Sequence, residues 1–241
     1  MPFDHYTPFR VLTDGVEIHG VKGGSGPPLL LLHGHAQTHA VWHRCAQPLA
    51  AHFTVIATDL RGYGASARLS GAAVSHELPS SKRAMASDQI AVMRHFGYER
   101  FLVCAHDRGA RVAHRMALDY ADAVERLMLL DIAPAFEADG HAERAAETTA
   151  TTAAAAADAA NDLDLEHDRA DIERGNKIGC PLRVLWGEHG VLAQYAEPLA
   201  EWRKVARDVS GRALPCGHAI PEEAPDELMA EMLSFFEAID S

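Results

Sequence analysis

The chain has 241 residues, 48% of them apolar, which suits one α/β domain with a full core; no apolar run nears the roughly 18 residues of a membrane span. With 22 basic against 34 acidic residues the net charge is −12, which argues against a broad cationic surface for nucleic acid. Met1-Pro2-Phe3-Asp4-His5 lacks the pattern of a secretory signal and the four cysteines form no C-x-x-C pair, so reduced thiols and a cytoplasmic location are expected.

Val11 to Val21 predicts an opening hairpin strand, followed by a turn at Gly23-Gly24-Ser25-Gly26-Pro27-Pro28. Leu29 to Leu32 is a short, wholly apolar strand ending at His33-Gly34, and Phe53 to Ala57 is another. Met85, Ile90, Met93 and Phe96 recur at helical spacing and predict a helix over 85–96. Further strands are expected at Phe101 to Ala105, Leu127 to Leu130, Leu182 to Trp186 and near Arg212 to Leu214, with helices at Val112 to Tyr120 and Leu228 to Phe236. Buried strands alternating with helices predict a mostly parallel, twisted sheet with helices on both faces, whose site lies at the carboxyl ends of the strands. From Ala135 to about Gly175 the chain is rich in Ala, Thr, Asp and Glu and reads as a loosely packed helical excursion or a mobile loop. The domain is thus single over 1–241, with an insertion at 134–178.

The stretch Ala105-His106-Asp107-Arg108-Gly109 is a small-x-nucleophile-x-small sequence after an apolar strand, the pattern of a strained strand–turn–helix elbow. A carboxylate at the nucleophile position points to attack on carbon through an ester to the enzyme. Asp107, Asp131 and His218 follow apolar strands in the order nucleophile, acid, histidine. In that chemistry His218 deprotonates the water that attacks the ester, and the acid fixes the histidine tautomer. Asp131 and Glu188 compete for the acid role. The backbone N–H groups of His35 and Arg108 are expected to form an oxyanion hole. Arg108 and Arg111 beside the elbow predict a small anionic substrate. His33, His35, His39 and His43 lack matching Cys, Asp or Glu spacing, so no metal and no cofactor is expected.

These residues resemble the haloacetate (fluoroacetate) dehalogenases of the α/β-hydrolase superfamily. The likeness is carried by His33-Gly34 with Gln37-Thr38-His39 and Trp42, by Asp59-Leu60-Arg61-Gly62-Tyr63-Gly64, and by Arg83-Ala84-Met85-Ala86-Ser87-Asp88. It continues in His106-Asp107-Arg108-Gly109 with Arg111, Leu130-Asp131-Ile132, Leu185-Trp186-Gly187-Glu188 and Gly217-His218. The resemblance implies an α/β-hydrolase fold in which Asp107 displaces halide from the α-carbon while Arg108 and Arg111 hold the carboxylate; it favours Asp131 over Glu188. The family places a large helical cap after the strand of Asp131, with His, Trp and Tyr side chains on the departing halide. Here no Trp or Tyr lies between Asp131 and Cys180, so the insertion reads as a shortened cap. Trp42 and Trp186 are read as core or pocket wall, either indole a stand-in halide donor, and Trp42 and His35 join the arginines in the expected substrate-binding set. The expected activity is hydrolysis of small 2-haloacids, bromo- or chloroacetate before fluoroacetate. An epoxide, ester or lactone hydrolase and a scaffold with little activity are the alternatives. No membrane or nucleic-acid partner is expected, and a homodimer stays open.

Overall fold

The computed structural model describes residues 3–68, 81–134, 153–190, 192–195 and 197–237. Two strands, β1 (Thr7–Leu12) and β2 (Val16–Gly24), form an antiparallel hairpin, and β2 pairs antiparallel with β4 (Thr54–Thr58). From β4 the sheet runs parallel through β3 (Pro28–Leu32), β6 (Phe101–His106), β7 (Val124–Leu130), β8 (Leu182–Gly187) and β9 (Val209–Leu214). The two-residue β5 (Ala67–Arg68) pairs with β2. The predicted opening strand is therefore two strands, with the turn made at Gly15, whose φ of 73° lies in the left-handed region that glycine enters without strain.

The alternation along each central strand divides the core in two. Leu30 and Leu32 of β3, Val103 and Ala105 of β6, and Leu127 and Leu129 of β7 enter one apolar cluster. Their neighbours Leu29 and Leu31, Leu102 and Cys104, Met128 and Leu130 enter the other. Side chains on a strand point alternately to opposite faces, so strands apolar at every position must be covered on both. One face is covered by α2 (Lys82–His95), α3 (Arg108–Asp119) and α5 (Pro198–Val205). The other is covered by the 3-10 turn His39–Arg44, α1 (Ala46–Leu49), α6 (Ile220–Glu223) and α7 (Pro225–Phe236). Helix α2 begins earlier than its apolar spacing predicts, because the Ser81 side chain accepts a hydrogen bond from the Ala84 N–H and caps the first turn.

Where it is described, the predicted excursion takes the helical of its two expected forms. Residues Ala153–Arg174 form one 22-residue helix, α4. Its described side chains bury no large apolar group, and Ile172 is exposed. Charge docks it instead. Asp164 accepts from the Lys82 backbone N–H at 2.8 Å, at the positive N-terminal end of α2, and pairs with the Lys82 ammonium at 3.2 Å. Arg115, buried on α3, meets Asp168 and Asp171 of α4 as well as Asp119 of its own helix. Residues 135–152 of the predicted excursion lie outside the described residues.

Candidate active site

Four loops at the carboxyl ends of parallel strands converge. Asp107 stands between β6 and α3 with φ 48° and ψ −117°, a left-handed conformation that a non-glycine residue holds only where its surroundings enforce it. The enforcement is visible. The Asp107 N–H donates to Leu130 O at 3.2 Å, and the Gly109 N–H donates to His33 O at 3.0 Å, drawing the start of α3 against the end of β3. A side chain on Gly109 would sit 2.6 Å from that same His33 oxygen. Gly34 is equally confined, since its Cβ would lie 2.8 Å from the Asp107 carboxylate.

The carboxylate is bound asymmetrically. The His35 backbone N–H donates to Asp107 Oδ2 at 2.7 Å, and the Arg108 N–H also hydrogen bonds the group. Burial pushes the Asp107 carboxyl up, but these N–H donors and the nearby His106 and His218 rings more than offset it, leaving it below the ordinary carboxylate value. Asp107 is therefore ionised at neutral pH. The His35 N–H thus holds one oxygen of the carboxylate, Oδ2.

His218 follows β9, and its Nδ1 donates to Asp131 Oδ2 at 2.7 Å. Asp131 is fully buried, takes a second hydrogen bond from the Leu192 N–H, and has no room beside it for a side chain on Gly190. Glu188, the competing acid, is exposed and so is not the partner. The bond to Asp131 is the main cause of a His218 pKa raised above the ordinary value. It also leaves Nε2 with the lone pair, the state a general base needs.

Arg108 is buried at the foot of the elbow. Arg111, one helical turn on, lines a cavity of about 30 Å³ between α2, α3 and α4, together with Lys82, His114, Arg115, Asp164 and Asp168. The His35 ring is exposed, with Nδ1 2.9 Å from the Tyr63 hydroxyl, so its contact with Asp107 is through the backbone alone. Trp42 leaves the expected substrate-binding set: it lies in the 3-10 turn His39–Arg44 and is fully buried in an apolar cluster, a core residue.

A profile described as alpha/beta hydrolase fold matches residues 27–176. The chain belongs to the α/β hydrolase family. It is 32% identical to a fluoroacetate dehalogenase from Burkholderia sp, over 91% of this chain and 91% of that protein. It is 31% identical to a soluble epoxide hydrolase from Corynebacterium sp. (strain C12), over 95% of this chain and 97% of the relative. The crystal structure of ALR0039 from Nostoc sp PCC 7120 superposes with a TM-score of 0.86 at 38% identity, covering 98% of this chain and 100% of that one. The match to the dehalogenase runs over 280 positions, more than the 241 residues of the chain, so this hydrolase lacks residues that the relative has.

Three further residues complete the site of this α/β hydrolase, and none stands out by spacing. Gln37 Oε1 accepts from the Gly34 N–H at 2.9 Å and lies 3.2 Å from His106 Nδ1. His106 Nε2 donates to the His218 carbonyl at 2.8 Å, and burial holds its pKa down to about 4, so the ring is neutral. Glu223 accepts from the N–H groups of Gly217 and Ala219, bracketing His218 from both sides. Gln37 and His106 sit within the motifs that carry the family resemblance, but His106 meets Gln37 and His218 across 69 and 112 residues of sequence.

Proposed function

We propose that this hydrolase cleaves the carbon–halogen bond of small 2-haloacids through an ester on Asp107. The observation that carries the reading is the Asp107 carboxylate with Oδ2 seated on the His35 N–H and Oδ1 left to attack, beside the Asp131–His218 pair. Oδ1 forms a bond to the α-carbon as the halide leaves with the bonding electrons. His218 Nε2 then takes a proton from water, and the hydroxide adds to Asp107 Cγ while Oδ2 carries the developing charge in its ring of N–H donors. Collapse of that intermediate releases the 2-hydroxyacid, whose new oxygen comes from Asp107, and the proton returns from His218 to the departing alkoxide.

Arg108 supports an anionic substrate, since a buried arginine directly follows Asp107 at the start of α3 in an acidic chain. Arg111 stands one turn behind it. The segment between β7 and β8 is a reduced cap, so the reading favours bromo- and chloroacetate, which need less help in releasing halide than fluoroacetate. The likeness to the Corynebacterium epoxide hydrolase supports a second reading, because the same ester chemistry opens an epoxide. Halide release from bromo-, chloro- and fluoroacetate separates them, measured with wild type, Asp107→Ala and Arg108→Leu. The expected result is release by wild type only, with bromide fastest. Background release by all three proteins, with turnover of a neutral epoxide by wild type, would assign the second reading.

A further inference from the structure

Three donors from distant parts of the chain meet at a second place. His19 comes from β2, His39 opens the turn after β3, and Asp59 follows β4. Their donor atoms all lie within 4.8 Å of one another. His39 Nδ1 is 2.7 Å from Asp59 Oδ1, and His19 Nδ1 is 3.5 Å from Asp59 Oδ2. We infer that His19 Nδ1, His39 Nδ1 and the Asp59 carboxylate form a binding site for one divalent transition-metal ion of the zinc class.

The donor set decides the class of ion. Two imidazoles and one carboxylate suit zinc and its first-row neighbours, whereas calcium and magnesium require mainly oxygen. In a tetrahedral zinc site with bonds of about 2.1 Å, neighbouring donors stand about 3.4 Å apart. His19 Nδ1 stands 3.5 Å from Asp59 Oδ2, close to that figure, and small side-chain rotations would bring His39 Nδ1 to the same oxygen. His19 Nδ1 is buried and makes no hydrogen bond among the described residues, so the ion would supply the partner that this nitrogen lacks. Asp59 is also held by donors other than the imidazoles, the backbone N–H groups of His39 at 2.9 Å and Ala65 at 2.9 Å. Donors of this kind orient a ligand carboxylate in metal sites.

The proton inventory closes. In the metal-free protein His39 Nδ1–H donates to Asp59 Oδ1; on binding, that proton moves to Nε2 through solvent and Nδ1 offers its lone pair. Both histidine rings are partly exposed, about 19% for His19 and 18% for His39, so the ion has a route in and a fourth position open to water. The ion would tie β2, the β4 exit and the loop that carries His35 and Gln37. The site is separate from the Asp107 chemistry and stands or falls without it.

The test is titration of chelator-treated protein with zinc, and with cobalt as a spectroscopic probe. One saturable equivalent is expected, with visible cobalt bands of a nitrogen–oxygen tetrahedral complex. His19→Ala and His39→Ala should each weaken binding about tenfold or more. His43→Ala, which removes a half-buried histidine outside the set, should leave it unchanged. In the unaltered protein, nitrogen-15 histidine spectra should show coordination at Nδ1 of His19 and His39, which keeps the test independent of how the variants fold. Binding that survives loss of His19 and His39, or zinc that shifts neither ring, overturns the assignment.

Discussion

Gly109→Ala adds one methyl group at the point where α3 is drawn against β3. The new Cβ would lie 2.6 Å from His33 O, 2.8 Å from Leu32 Cβ and 2.9 Å from Leu32 C. Two of these are backbone atoms of a central strand and cannot rotate away. Ordinary contact starts near 3.4 Å, so 3.4 less 2.6 leaves α3 to retreat by about 0.8 Å. That movement lengthens the Gly109 N–H bond to His33 O and carries Asp107 away from the His35 N–H. Overpacking costs about 1–3 kcal/mol, and replacing a helical glycine by alanine returns about 1 kcal/mol, so the net loss of stability is about 0–2 kcal/mol. The catalytic loss is larger in proportion, because displacement of a reacting group by about 1 Å costs on the order of 100-fold. The assay pairs chemical denaturation with kcat/KM for bromoacetate, and Gly179→Ala serves as control because a Cβ there meets nothing within 4 Å. A Gly109→Ala protein that keeps full activity would refute the argument that this contact sets the elbow.

Acidity should separate the two chemical steps. The Asp107 pKa is lowered, so ester formation persists as pH falls, whereas His218, whose pKa is raised, becomes protonated first and can no longer take a proton from water. Acid-quenched wild type should therefore carry more adduct at mildly acidic than at mildly alkaline pH, as read by mass spectrometry, and Asp131→Asn should move that transition to lower pH. Arg115→Met tests the docking of α4 by charge. It leaves Asp168 and Asp171 without their cation, while Asp119 keeps Arg83, at a cost of about 2–4 kcal/mol after allowing for their partial exposure. Burial acts to raise the Asp171 pKa, but its bonds to Asn176 and Arg115 win and hold it low, a contribution present above the unfolded value and lost as pH falls. The deficit of Arg115→Met in denaturant melts should accordingly narrow on acidification.

Much of this molecule is legible in its sequence because its central strands are short and mostly apolar. Leu29 to Leu32 and Phe101 to Ala105 each announce a strand covered on both faces, and Ala105-x-Asp107-x-Gly109 announces the elbow between β6 and α3. Helix α4 was legible only as one of two alternatives for a physical reason: its hold on the body comes from Asp164, Asp168 and Asp171, and docking by ion pairs leaves no apolar period to read. Trp42 misleads because an indole near the site motifs is indistinguishable in sequence from one beneath them. The bonds of Gln37, His106 and Glu223, and the meeting of His19 with His39 and Asp59, are made by the tertiary fold.

The central claim is that Asp107 itself becomes esterified. His218→Gln removes the base and preserves the first step, so incubation with bromoacetate should leave one carboxymethyl group on the protein. Peptide mass spectrometry should place it on Asp107, and Asp107→Ala combined with His218→Gln should carry none. An unmodified Asp107 in a protein that still releases bromide would contradict the account.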